Sequence, residues 1–163
     1  MYGSRPTGVK ALALGPHPSL PLGQAKTPTM TLSPIFVATW TPRALALLRI
    51  VTAFLFLQHA TAKLLGVPHV AVFDGLPPLS FYGFAGMLEI ACGVLVLIGW
   101  YTRPAAFIAS GEMAVAYFVG HVPQGHFLSP LLNQGESAVM FCFVFLLLSV
   151  AGPGACSVSK DRA

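Results

Sequence analysis

Residues 44 to 65 read ALALLRIVTAFLFLQHATAKLL, a run of 22 residues in which only Arg49, His59 and Lys63 can carry charge. As an α-helix such a run rises ~33 Å, enough to cross a hydrocarbon core of ~30 Å. Gly66-Val67-Pro68 stops it. The rest of the chain has the same character: of 163 residues, 55% are hydrophobic and 9% charged, and mean hydropathy is +0.75. A water-soluble domain carries about a quarter of its residues charged, so much of this apolar surface must face lipid.

Further runs follow downstream. A second span is expected from Phe81 to Gly99, after Pro77-Pro78 and before the interfacial aromatics Trp100-Tyr101. A third is expected from Ala105 to Val119, with Pro104 in its first turn, where a missing N–H costs nothing. A fourth is expected from Gly135 to Val150, ending at Gly152-Pro153-Gly154. The fold class is therefore all-α: a polytopic membrane protein built as a four-transmembrane-helix, up-down bundle.

Upstream, residues 1–42 hold seven of the 14 prolines and lack a long apolar core, so they read as a disordered, Pro-rich arm without a cleaved signal. The expected domains are the arm at 1–42, the membrane domain at 43–157 and a short polar tail at 158–163. Met30 is a second candidate translation start.

Arg5, Lys10, Lys26 and Arg43 precede the first span, Arg103 lies between the second and third, and Lys160 and Arg162 follow the fourth. The positive-inside rule then predicts both termini cytoplasmic and a multi-pass protein of the inner (plasma) membrane. A net charge of +4 with no basic run excludes nucleic acid as a partner. The bilayer is the expected partner, and a homo-oligomer is an open alternative. Cys92, Cys142 and Cys156 form no CxxC pair, and Cys92 and Cys142, inside apolar runs, read as packing residues.

Six groups lie at membrane depth: Arg49, His59, Lys63, Glu89, Glu112 and Glu136. Each costs at least ~2.5 kcal/mol at a lipid-facing helix centre, so they should face inward and pair. His59 and Lys63 are four residues apart and share a helix face, with Arg49 within about 80° of both. By depth, Lys63, His59, Glu89, Glu112 and Glu136 gather in the outer half, below Asn133, His121 and His126, whereas Arg49 lies toward the inner end. Lys63 faces three carboxylates, which predicts a titratable site. The bland alternative is that these groups only tie helices together, and Gly83, Gly86, Gly93 and Gly111 offer small surfaces for the same purpose. No metal site is predicted, because a di-iron bundle needs Glu-x-x-His motifs that the chain lacks.

The spans taken together resemble the DoxX family of small four-helix membrane proteins. The likeness rests on His59-Ala60-Thr61-Ala62-Lys63, Gly86-Met87-Leu88-Glu89-Ile90-Ala91-Cys92-Gly93, and Gly99-Trp100-Tyr101-Thr102-Arg103. It continues in Met113-Ala114-Val115-Ala116, Asn133-Gln134-Gly135-Glu136 and Gly152-Pro153-Gly154. Arg49, Lys63, Glu89, Asn133 and Glu136 match the family's polar positions. Glu112 does not, Ala60 stands where Gly is frequent, and Ser157-Val158-Ser159 stands where members often have Ser-Leu-Asp. The resemblance implies an accessory in membrane redox chemistry, such as a subunit of a quinone-linked oxidoreductase, with quinone as the implied cofactor and Lys63, Glu89 and Glu136 at the centre of its site. It also implies an alternative: a non-catalytic scaffold that recruits oxidant-stress or thiol-handling redox enzymes as partners. A small transporter is a second alternative.

Overall fold

The computed structural model describes residues 33–159, which are helical throughout their regular elements. The helices are α1 (Pro34–Leu65), α2 (Phe81–Ile98), α3 (Thr102–Ala116) and α4 (Glu136–Ala151). Each packs on its neighbour in sequence, and α1 also meets α4, which closes the bundle. Among the described residues, three helical stretches are long and apolar enough to cross a membrane: Pro34–Leu65, Phe81–Ile98 and Thr102–Gln124. The fourth, Glu136–Ala151, is equally apolar but shorter at 16 residues. This is a helical membrane protein.

The first span departs from its expected start. It begins at Pro34 rather than Ala44 and runs straight through Pro42, so residues 34–42 are helix. Proline at 34 occupies the first turn, where no N–H is needed, and Ile35, Phe36, Val37 and Trp40 supply an apolar exterior. Proline at 42 is tolerated because a membrane helix with a broken backbone bond finds other partners. The carbonyl that Pro42 leaves without a donor is that of Ala38; the Pro42 carbonyl itself accepts a hydrogen bond from the Ala155 N–H at 2.8 Å, which ties α1 to the segment after α4. The remainder of the expected arm, residues 1–32, and Lys160 to Ala163 lie outside the described residues.

The other boundaries sit close to expectation. Helix α2 starts at Ser80, whose hydroxyl accepts from the Gly83 N–H at 3.2 Å, an N-cap that satisfies one free donor. It ends at Gly99, whose φ of 74° places it in the left-handed region. After Ala116 the third span continues as a wide turn at Tyr117–His121 and a tight one at Val122–Gln124. Such wide turns in helices often mark functional sites.

The core is small in cross-section. Ala53, Cys92, Ala105, Ala106 and Ala109 are buried and let the helices approach, while Phe56, Val96, Met113, Phe145 and Leu148 fill the space between them. The rings of Phe56 and Phe145 meet edge to face with centroids 4.7 Å apart, a favoured aromatic geometry. Gly86 lies against Leu64 and Lys63, and Gly93 against Leu57, so these two glycines seat α2 on α1 as expected. Gly111 has open space around it and plays no such part.

At the opposite end from Lys63, Arg49 is almost wholly buried (1% exposed) and its Nη2 donates to the Cys156 carbonyl at 2.8 Å. The segment after α4 lies across this end, with the N–H groups of Val158 and Ser159 bonded to the carbonyls of Ile98 and Gly99 at 3.1 Å each. Gly99 touches the Arg49 guanidinium so closely that a Cβ would collide with it. Gly99→Ala should therefore lower stability by at least ~1–2 kcal/mol from the left-handed backbone alone, read as a lower melting temperature in mild detergent. Gly111→Ala, in open space inside a helix, should be neutral or raise stability by up to ~1 kcal/mol.

Candidate functional site

Lys63 lies two residues from the end of α1, and Glu89 lies eight residues into α2, about 12 Å along its axis. The long lysine side chain spans the difference: Nζ meets Glu89 Oε1 at 2.5 Å, with side chains 9% and 1% exposed. The pair joins α1 to α2 at the edge of a cavity of about 290 Å³. Glu112, from the middle of the third span, reaches the same cavity and lies within electrostatic reach of both Glu89 and Lys63. Both Glu112 oxygens and Glu89 Oε2 are buried without a hydrogen-bond partner. Two carboxyl groups thus share one lysine.

Aromatic rings wall the rest. Phe73, Phe81 and Tyr82 come from the α1–α2 loop and the start of α2, and Phe141 from α4. Lys63 Nζ stands 5.7 Å from the Phe73 ring centroid, within cation–π range. His59 lines the cavity with its ring edge-on to Phe141 at 5.5 Å, and its Nδ1 bonds the Leu55 carbonyl at 3.1 Å. His121 also lines the cavity, delivered there by the wide turn after α3.

The expected cluster is thus assembled in part. Lys63, Glu89, Glu112 and His59 come together. Glu136 does not: it is exposed in the first turn of α4, while its neighbours Ser137 and Ala138 face the cavity. Its acidic charge suits a helix N-terminus. Arg49 does not join either, because 14 residues of helix separate it from Lys63, about 21 Å.

Asn133 shapes the site without lining it. It is buried, donates from Nδ2 to the Tyr117 hydroxyl at 3.2 Å and accepts from the Gly135 N–H at 3.0 Å. Tyr117 in turn donates to the Phe127 carbonyl at 2.5 Å, and His121 Nδ1 bonds the Asn133 carbonyl at 3.0 Å. This network fixes the loop before α4, and His126 contributes its backbone carbonyl rather than its ring. Among the described residues, no group of three His, Cys, Asp or Glu stands close enough to hold a metal ion.

Comparison with known proteins identifies the family. The DoxX family model matches residues 44–122. An uncharacterised protein of Haemophilus influenzae is 40% identical over 121 residues, 73% of this chain and 90% of the relative. The chain belongs to the DoxX family. The inner membrane protein YphA of Escherichia coli is 26% identical over 133 residues, 74% of this chain and 90% of YphA. No solved structure matches. The DoxX match covers Lys63, Glu89, Glu112 and His121 and stops before Asn133 and α4.

Phe73, Tyr82 and Phe141 escape a reading by charge and motif, since an aromatic in a loop or an apolar helix carries no signal of which surface it faces. Tyr117 could have been found as a polar ring in an apolar span, which usually needs a hydrogen-bond partner.

Lys63→Met leaves Glu89 buried without its cation, and losing one partner of a buried pair typically costs ~3–5 kcal/mol. A large drop in thermal stability in detergent is the expected result. Lys63→Met with Glu89→Gln removes both charges and should recover more than half of it.

Proposed function

We propose that this DoxX protein is an inner-membrane accessory of redox chemistry whose cavity binds the ring of a quinone-like molecule. The observation that carries the reading is the cavity itself: four aromatic rings around about 290 Å³, with Lys63, Glu89 and Glu112 at one edge. Ligand pockets are mostly apolar with a few convergent polar groups, and this one lies at the small end of their range of ~300–1,000 Å³. A planar ring suits stacking on Phe73, Tyr82 or Phe141, and oxygens on that ring suit the polar edge. Charged groups within a membrane bundle commonly mark a ligand or proton path. The chain's own contribution is to bind and orient the ring and to exchange protons with it through Glu112 and His59.

The orientation proposed with it has all four helices crossing and both termini in the cytoplasm. Arg43 and Arg103 then lie on the inner side with Lys160 and Arg162 in sequence after α4, and the cavity lies in the outer half. The name of YphA supports the inner membrane as the location.

Protein purified in mild detergent should carry quinone at near-stoichiometric amounts, measured by solvent extraction and chromatography. The Lys63→Met, Glu89→Gln double variant should lose at least tenfold. Quinone at no more than the level found with an unrelated membrane protein prepared alike would overturn the reading. For topology, a reporter fused after Ala163 should behave as cytoplasmic and one inserted near Gly75 as external.

A further inference from the structure

The cavity's polar groups are unbalanced in hydrogen-bond sense as well as in charge. Glu112 presents two oxygens and Glu89 one, all buried and none bonded to a donor. The two histidines add to this. His59 Nδ1 faces the Leu55 carbonyl and His121 Nδ1 faces the Asn133 carbonyl. A carbonyl can only accept, so in each neutral ring the proton is on Nδ1 and Nε2 is left with a lone pair. Against these acceptors stand the Lys63 ammonium, one of whose three N–H bonds is taken by Glu89 Oε1, the Gln124 amide, which donates to the Gly120 carbonyl, and the hydroxyls of Tyr82 and Ser137, which can equally accept, so unbonded acceptors still outnumber dedicated donors. A proton on Glu112 shared with Glu89 would still leave a carbonyl oxygen of Glu112 free to accept.

A quinone's ring oxygens are acceptors, and its reduced form, the quinol, carries two hydroxyl donors on the same ring. We infer that the cavity is built for the reduced form: Glu112 accepts a hydrogen bond from a quinol hydroxyl, and the site prefers quinol over quinone. The inference rests on the reading of the cavity as a quinone site and adds the oxidation state it selects. Hydrogen bonds to charged groups are the strong ones, and burying an acceptor without a donor is penalised. The expected preference is about tenfold to a hundredfold. By linkage, each tenfold raises the reduction potential of the bound couple by about 30 mV, so the ring is more easily reduced when bound than when free in the bilayer.

The test compares binding of a short-chain benzoquinol, its benzoquinone and the dimethyl ether of that quinol to the full chain in detergent, by equilibrium dialysis under argon. The quinol should bind at least tenfold tighter than the quinone, and the dimethyl ether, which keeps the ring and its oxygens, loses both donors and gains two methyl groups, no tighter than the quinone. Glu112→Gln, which replaces an acceptor oxygen by a donor N–H, should bring the quinol-to-quinone ratio to within about threefold of unity. The ether comparison decides even where that variant folds poorly. Quinone binding as tight as quinol, or ether binding as tight as quinol, overturns the inference and leaves the quinone site standing. Binding of none of the three overturns both.

Discussion

One contact sets the terms for the upper half of the bundle: the Lys63–Glu89 pair. A lysine near the end of α1 and a glutamate eight residues into α2 can meet only if the two helices lie close, and Gly86 provides that closeness beside Lys63 itself. In lipid neither charge has water to fall back on, so the register of α1 against α2 is fixed by electrostatics as firmly as by packing. The loop between these helices then has little freedom in where it lands, and it brings Phe73 over the lysine.

The far end is secured differently. Arg49 is the largest fully buried side chain, and one of its nitrogens holds a backbone carbonyl of the segment after α4. Arg103 donates to the carbonyls of Ser149 and Val150 in the last turn of α4, where a cation also complements the helix dipole. Guanidinium groups thus tie backbone to backbone at this end, whereas side-chain charges meet each other at the other. The two ends do different work: one closes the bundle, and the other leaves a space inside it.

The sequence makes much of the fold legible because lipid imposes simple rules. Helices α2 and α4 start and stop within one residue of the expected positions, since Pro77-Pro78, Trp100-Tyr101 and Gly152-Pro153-Gly154 punctuate them. The start of α1 was not legible, because Pro42 reads as a break by the standards of water, while a membrane helix passes through it. Lys63 and Glu89 could be paired from depth alone. Glu136 was misplaced by the same argument, because depth ranks residues along the axis and says nothing of rotation about it. Its position was decided by Asn133, Tyr117 and the loop they hold, and loop geometry has no period to read.

Helix α4 has 16 residues and α1 has 32, or ~24 and ~48 Å along their axes. A bilayer of uniform ~30 Å thickness cannot match both. In the proposed orientation the lipid around α4 thins or flanking residues snorkel, and α1 tilts, each at a fraction of a kcal/mol per Å, while α1 carries Trp40 and Arg43 in its long extension as interfacial anchors. Hydrophobic mismatch on one side of so small a bundle makes its stability sensitive to acyl-chain length.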